Sequence, residues 1–392
     1  MRWLIFIQVL ILSGCSTFGD FQLQKTDANT LSQLVVPYDR NLFEGENLSV
    51  ESIDEIFYLT ESQKKDFWTY FNNPRNRDVY PNHRISRYLS SKLGTFNFYS
   101  DTLTASQALS NQLGNCLSLA IVTHALADLA GVTVKYELVK TPAIFQKEGD
   151  VVLASQHVQS LLYDPGPGEF NGKGPIWRSY IRVDYYPTGD TEPLRRVPTD
   201  EFFSMFYRNR AAEAIGAGRL SKAYAYLTEV LSRNKTDGQA INSMAVLHER
   251  MGEKEKAREL YLFGLQYGEK SAEFDLLYNY HILLKTTGQA EELAIVEERL
   301  NRYKDKNPFR WVSKGEQALV SKNYRAAIRY FQKASKLASY LHEPYAGIAK
   351  AQAALGNAKA AKRALRKAIE KSRKAETKNL YQLKYETLVK LD

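Results

Sequence analysis

Apolar residues recur at helical spacing over most of the chain and alternate with polar residues only between about 132 and 186. Helical spacing is clear from about Val50 to Leu109, and an apolar run over Leu117–Leu129 ends at Gly131, a residue typical of helix ends. Alternation predicts strands over 132–139, 151–153, 156–163 and 180–186. Helices followed by several strands indicate an α+β domain.

From about residue 202 the pattern becomes a repeat. Gly218–Ala223 and Gly252–Ala257 are 34 residues apart, and so are Lys322–Ala327 and Gly356–Ala361, while Gly288–Leu293 fills the gap. The four units that end on alanine place a large residue four positions later, at Leu227, Tyr261, Phe331 and Leu365. Trp311 and Gly315 supply an aromatic and a small residue upstream. This period resembles that of the tetratricopeptide repeat (TPR). The resemblance implies an all-α superhelix of five TPR repeats over 202–376 and a capping helix over 377–392, because a single helix pair cannot bury its apolar face alone.

The first fifteen residues form a pattern of their own. A short positive start at Met1-Arg2 precedes an apolar run, Trp3–Leu12, which is too short to span a membrane and favours an export signal. The ending Leu12-Ser-Gly-Cys15 resembles the bacterial lipobox, which implies a lipoprotein signal peptide over 1–14 and lipidation of Cys15. Residues 15–45 are then the lipidated N-terminus and tether, and Ser16 implies an outer-membrane location facing the periplasm. The alternative is a free cysteine in an ordinary signal peptide.

The 392 residues predict more than one domain, and their net charge of +9 is concentrated near the end of the chain. From residue 344 onward, 12 Lys or Arg stand against 4 Asp or Glu. This pattern is typical of a solvated basic helix face, and binding to an anionic surface such as lipid head groups or polysaccharide stays open. Because no nucleic-acid motif accompanies the charge, no nucleic-acid partner is expected.

Two cysteines are present, and lipidation of Cys15 would leave Cys116 as a single free thiol in an oxidising compartment. Cys116 begins a long apolar helix, where backbone N–H groups and the helix dipole favour a thiolate. His157 precedes an alternating strand and can take the thiol proton. Asp184 follows in the next strand and can orient the imidazole.

The run Gly114-Asn-Cys-Leu-Ser-Leu-Ala120 resembles the Cys helix of the transglutaminase-like (papain-like cysteine hydrolase) superfamily. That superfamily keeps Cys, His and Asp in this chain order, so the resemblance implies a catalytic Cys116, His157 and Asp184. The matched stretch is about 85–200, within a domain over 46–200. The whole chain is similar to envelope lipoproteins that fuse this domain to TPR repeats.

Several assignments stay open. Asp164, in Tyr-Asp-Pro-Gly, competes with Asp184 for the third role, and Gln107 or Gln112 could donate to an oxyanion. Cys116 could instead be an inert buried cysteine, His157 a core histidine, and Asp184 a hydrogen-bonding residue at a strand end.

An active triad would transfer an acyl group from an amide through a thioester, with water (peptidase or amidase) or an amine (cross-linking) as acceptor. The expected envelope location makes proteins or peptidoglycan peptides the substrates. The rival hypothesis is a non-catalytic scaffold, in which the TPR groove binds a protein or peptide and the transglutaminase-like domain is degenerate. Neither a metal site nor a cofactor is expected, since the remaining histidines lack ligand spacing and no Gly-rich phosphate loop is present.

Overall fold

The computed structural model describes most of the chain after residue 32. The described ranges are 33–44, 46, 48–92, 101–140, 144–148, 151–155, 157–163, 179–184, 192–303, 307–372 and 375–390. The predictions for the signal peptide, for Cys15 and for Asp164 therefore lie outside the described residues. The described residues form two compact units: Arg40–Arg233 with the part after Leu300, and Asn234–Leu300 with the residues before Arg40.

Between residues 48 and 129, the described part of the chain forms five helices before the sheet. They are α1 (Ile53–Phe57), α2 (Glu61–Phe71), α3 (Pro81–Lys92), α4 (Ala105–Asn111) and α5 (Cys116–Leu129), with a 3-10 turn at Pro74–Asn76. Three of them begin with a capping box, in which a Ser or Thr side chain and a Glu or Gln three residues later bond each other's backbone N–H. Helix α5 has buried residues on all sides, which makes it the central core helix.

Six strands follow in the described ranges, in two antiparallel sheets. They are β1 (Val134–Lys140), β2 (Ile144–Glu148), β3 (Val151–Ser155), β4 (Val158–Tyr163), β5 (Tyr180–Val183) and β6 (Glu192–Val197). Four strands pair in the order β5-β4-β1-β6, and β2 pairs with β3. The alternating stretches form strands as predicted, but β2 and β6 were not predicted. In β6 all residues except Val197 are exposed, so no alternation marks it.

The sheet core is closed by two helices. Helix α5 packs against β4 and β1, and helix α6 (Thr199–Gly216) packs against β1. The Tyr136 ring stacks on Phe202 of α6 at a centroid distance of 3.7 Å, and its hydroxyl is hydrogen-bonded to His124 of α5. Each buried aromatic ring of this kind contributes roughly 2–3 kcal/mol through burial. Helix α6, which the sequence assigned to the repeats, is therefore also part of the α+β core.

Most of the remaining helices form pairs, as the repeat predicts, and the last helix packs on the one before it. After α7 (Leu220–Arg233), which pairs with α6, they are α8 (Gly238–Arg250), α9 (Lys254–Tyr267), α10 (Glu273–Thr287), α11 (Ala290–Asn301), α12 (Pro308–Val320), α13 (Tyr324–Leu337), α14 (Glu343–Ala354), α15 (Ala358–Lys371) and α16 (Ala375–Lys390). The chain is thus mostly helical, with TPR-type helix pairs and one small α+β core. That all pairs form one continuous superhelix stays a prediction.

The turn inside each pair depends on a left-handed residue. Gly218, Gly252, Gly288 and Gly356 have φ values between 72° and 87°, a conformation that a side chain disfavours. Lys322 occupies the corresponding position in the α12–α13 turn with φ 57°. These five positions coincide with the repeat register in the sequence.

The predicted tether is partly packed. Val36 is buried, and the Asp39 N–H donates to His248 Nε2 of α8 at 3.2 Å. Part of the stretch assigned to the tether, 15–45, therefore belongs to the folded structure. Within the described ranges, no helix combines the length and the apolar character needed to cross a bilayer.

Candidate active site around Cys116

Cys116 is the first residue of α5, and the residues before it set the start of the helix. Gly114 adopts a φ of 150°, and Asn115 caps the helix by accepting a hydrogen bond from the Ser118 N–H at 2.9 Å. The backbone N–H groups of a first turn have no intrahelical partner and carry the positive end of the helix dipole. The partly exposed Cys116 thiol therefore lies where a negative charge is stabilised.

The sheet brings His157 and Asp184 together. His157 directly precedes β4, and Asp184 directly follows β5. Because the two strands are antiparallel neighbours, the start of one lies beside the end of the other. The imidazole Nε2 is 2.7 Å from Asp184 Oδ1. Asp184 thus lies one residue beyond its strand, whereas the sequence pattern had placed it within the strand.

The environment of His157 favours the charged imidazolium. Burial of the ring lowers its pKa, but hydrogen bonds to Asp184 and to the Cys116 thiol, together with their charges, outweigh burial and raise the pKa of His157 to about 9. Nε2 is the ring nitrogen engaged with Asp184. The structure therefore brings the three residues singled out in the sequence together, with the imidazole of His157 bonded to Asp184 and influenced by the Cys116 thiol.

The two glutamines considered as oxyanion donors lie at opposite ends of helix α4. Gln107 is the third residue of α4, and its carbonyl accepts from the Thr104 N–H at 3.2 Å as part of the capping box. That bond commits the Gln107 side chain to the start of α4. Gln112 ends the same helix in the left-handed region, with φ 51°.

A hydrogen-bonded chain behind Cys116 links its capping residue to α6. Asn115 Nδ2 donates to Thr102 Oγ1 at 2.7 Å, and the Thr102 N–H donates to Glu213 Oε1 at 2.7 Å. Arg210 Nη1 reaches both the Thr102 carbonyl and Glu213 Oε2 at 3.4 Å. The cap that sets the position of Cys116 is thus supported by two residues of α6.

Glu213 carries a buried carboxyl group with a raised pKa. Its burial raises the pKa, and although the hydrogen bonds from Thr102 and the charge of Arg210 oppose this, the pKa rises to about 7. Sequence reasoning missed Thr102, Arg210 and Glu213. Thr102 is more than a hundred positions from its two partners in α6, and no motif marks any of the three residues. The Asn115–Ser118 cap was readable, since Asn is a preferred N-cap residue.

The other histidines for which hydrogen bonds are described have structural partners. His248 Nδ1 bonds the Met244 carbonyl at 2.8 Å, His281 bonds Glu297 at 3.0 Å, and His342 bonds the Tyr381 hydroxyl at 2.9 Å. Within the described ranges, no group of three or more His, Cys, Asp or Glu side chains is arranged to hold a metal ion.

No family model matches this chain, and no curated protein sequence matches it. Among solved structures, the chain is similar to the APC/C hetero-tetramer Cut9–Hcn1 (17% identity, 47% of this chain and 38% of that one, TM-score 0.32). PilF of Pseudomonas aeruginosa gives 17% identity over 49% of this chain and 94% of that one, with a TM-score of 0.33. YrrB, a TPR protein with an unusual peptide-binding site, gives 15% identity over 46% and 91%, with a TM-score of 0.26. At these TM-scores the similarities assign no function.

Proposed function

We propose that this protein is a lipid-anchored lipoprotein of the bacterial envelope, facing the periplasm from the outer membrane. Its α+β core would be a transglutaminase-like domain that transfers acyl groups from amides, and its helix pairs would bind a protein partner. The observation that carries the catalytic part is the 2.7 Å bond between His157 and Asp184, with the Cys116 thiol on the same imidazole. The lipid anchor is supported by the signal pattern ending at Cys15.

The chemistry follows from the proton positions. The Cys116 thiol gives its proton to His157, and the sulfur attacks the carbonyl carbon of the amide. The tetrahedral intermediate collapses as the C–N bond breaks, and the leaving amine takes the proton from His157. Water or a second amine then attacks the thioester, gives a proton to His157 and releases Cys116 as the thiol. Asp184 keeps the imidazole oriented and stabilises its positive charge throughout.

Stabilisation of the tetrahedral oxyanion would come from the start of α5. The Cys116 N–H belongs to the first turn, where helix N–H groups lack intrahelical acceptors and point out of the helix. The same positive helix end that favours the thiolate would then favour the oxyanion formed from it. A second donor is not assigned, because Gln107 serves the capping box of α4.

The alternative is a scaffold without catalysis, and one observation favours a binding role for the repeats. Ile282 on α10 and Ile295 on α11 are apolar side chains exposed by 43% and 49%. Exposed apolar residues on neighbouring helices of a repeat suit an amphipathic peptide or a partner helix. Binding of this kind is compatible with either an active or an inert Cys116.

The catalytic proposal is tested with an activated ester, because the natural substrate is not identified. The full chain carrying Cys15→Ala, so that Cys116 is the one thiol, is mixed with p-nitrophenyl acetate. We expect a burst of p-nitrophenol and an acetyl group on Cys116, detected by mass spectrometry of the peptide. Added glycinamide separates the two acceptors, because a transferase gives acetylglycinamide and a hydrolase gives acetate. The catalytic proposal fails if Cys116 is acetylated only as fast as a free thiol and His157→Ala does not change that rate. The function would then be that of a scaffold.

A further inference from the structure

The positive charge near the end of the chain is organised on two helices. Together, α13 and α15 carry ten Lys or Arg and one acid, Glu370. Eight of the cations are exposed along one side of each helix, and we name them the basic stripe. It consists of Arg325, Arg329, Lys333 and Lys336 on α13 with Lys359, Arg363, Arg366 and Lys367 on α15.

The stripe follows the repeat register. Arg329 and Arg363 are 34 residues apart, and so are Lys333 and Lys367. Both helices are the second of their pair and pack on α14. Because a repeat places equivalent positions of successive units on the same side, the cations of α13 and α15 form one surface.

The earlier repeats provide an internal comparison. The position of Arg363 is held by Glu259 in α9 and by Ile295 in α11, judged from the turn glycines. The position of Lys359 is held by Glu255 and Glu291 in the same helices. A solvated helix face at these positions is thus acidic or neutral elsewhere in the array. At these two positions, basic residues occur in the last two pairs and not in α9 or α11.

Little compensates the charge. Within the ranges that the structure describes, Arg325, Arg329 and Arg363 take part in no ion pair. Arg325 and Arg329 are four residues apart on one helix face, a spacing at which like charges repel. Such an arrangement disfavours the isolated fold slightly, and a bound anionic surface would remove that cost.

Three other cations of the stripe are held against aromatic rings. Lys333 Nζ lies 3.5 Å from the ring centroid of Trp311, and Arg366 and Lys367 lie over Tyr385 and Tyr345. Their charged groups therefore lie over aromatic faces, which hold them in place at the surface. The stripe is a fixed array of charge on helices about 20 Å long.

We propose that the basic stripe binds the surface of an anionic phospholipid bilayer. Extended polybasic helix surfaces are attracted to anionic head groups without a shaped pocket. The choice of lipid as the ligand rests on the proposed function, in which the anchor at Cys15 holds the chain at a bilayer. Such an anchor would raise the local concentration of lipid near the stripe. A nucleic acid fits less well, because no nucleic-acid motif accompanies the charge.

The test uses residues 16–392, which lack the predicted signal peptide and Cys15, so that binding depends on the stripe and not on an anchor. Co-sedimentation compares vesicles of phosphatidylcholine with vesicles containing phosphatidylglycerol, at low and at high salt. The stripe variant carries Arg325→Glu, Arg329→Glu, Lys359→Glu and Arg363→Glu, four residues without aromatic contacts. The matched control carries the same charge change on the other unit, at Lys235, Lys254, Lys270 and Lys285, each replaced by Glu. Thermal unfolding of both variants verifies that they are folded.

We expect the parent and the control to bind phosphatidylglycerol vesicles, and the stripe variant to bind about tenfold or more weakly, with binding lost at high salt. Equal losses in both variants would show that only net charge matters and would overturn the proposal. If the parent does not bind the vesicles but binds poly-glutamate through the same four residues, the lipid proposal is overturned. The stripe would then be a site for an acidic protein partner. Sedimentation does not involve Cys116, so an inert thiol leaves this outcome unchanged. Lipidation of Cys15 is read separately, from the mass of the mature chain.

Discussion

His157 and Asp184 are 27 positions apart in the chain, yet their side chains meet at 2.7 Å across the paired ends of β4 and β5. The imidazole is almost completely buried, and the carboxylate is about a third exposed. A buried ring bonded to a partly solvated carboxylate can hold a positive charge without leaving the core. The pair therefore connects the sheet to the chemistry proposed for Cys116.

Replacing Asp184 by Asn should lower the pKa of His157. Burial alone favours the neutral ring, and the carboxylate and the thiol raise the pKa to about 9. Without the carboxylate charge, we expect titration to fall toward or below the usual value of about 6.5. The ring protons, followed by NMR over pH, measure this. Asp164→Asn is the control, and a fall in the pKa there instead would make Asp164 the partner.

The same pair makes stability depend on pH. Because the pKa of His157 is raised in the folded state, its protonation stabilises the fold fully below about pH 6.5, and this contribution is lost as pH rises through about 9. We expect the free energy of unfolding of the parent, measured with urea, to fall between these values more than that of Asp184→Asn. Parallel curves for the two proteins would contradict the raised pKa.

Cys116 should react with iodoacetamide at mildly acidic pH, and His157→Ala should remove this reactivity. The imidazolium beside the sulfur stabilises the thiolate. We expect the alkylation rate near pH 6 to fall about tenfold or more in the variant. The control is His281→Ala, which removes a histidine of α10 that is bonded to Glu297 of α11. This variant should leave the alkylation rate unchanged. Equal rates in the parent and in His157→Ala would exclude a thiolate–imidazolium pair.

Glu213→Gln should change the pH dependence of folding. Burial first, opposed by Thr102 and Arg210, raises the pKa of Glu213 to about 7. The folded state thus keeps a proton that the unfolded chain loses above its value near 4.5, so the parent loses stability as pH rises between these values. The loss is on the order of 2–3 kcal/mol relative to the Gln variant. Urea unfolding at several pH values measures it.

Glu55→Gln is the matched control for Glu213→Gln. The hydrogen bonds of Glu55 to the backbone and side chain of Ser52 lower its pKa. Its contribution therefore has the opposite sign and is lost as pH falls through the lowered pKa. The same direction of change for both variants would contradict a buried, protonated Glu213.

Gly315→Ala should destabilise the last repeats through Phe331. A Cβ at Gly315 would lie 2.6 Å from the Phe331 ring, and the ring is also in close contact with Gly347 on its other side. Since Phe331 is buried between them, we expect a loss of about 1–3 kcal/mol in the free energy of unfolding. Phe331→Leu in the same chain should recover part of the loss. A Gly315→Ala variant as stable as the parent would show that the ring moves freely.

The parts of the fold that depend on local chemistry could be predicted. The left-handed turns at Gly218 and Gly252 and the small residue at Gly315 are set by neighbouring residues, so the 34-residue period was visible. The start of α5 at Cys116 was also readable from its cap and its apolar run.

Long-range features could not be predicted. Glu213 and Thr102 are 111 positions apart, and nothing near either residue signals the other. The edge strand β6 lacks alternation because it is exposed on both faces. Asp184 was placed within a strand since alternation continues past Val183, although the ladder with β4 ends there.

Helix α6 lies against β1 through Phe202 and supports the Cys116 cap through Glu213. The same helix opens the series of pairs, so the two predicted domains share an element. Domain boundaries normally fall in exposed linkers that few contacts cross. A break near residue 200 would expose the Tyr136 ring and would remove Glu213 from the hydrogen-bonded chain behind the Cys116 cap. Loss of the first helix pair would therefore also disrupt the α+β core, because α6 belongs to both.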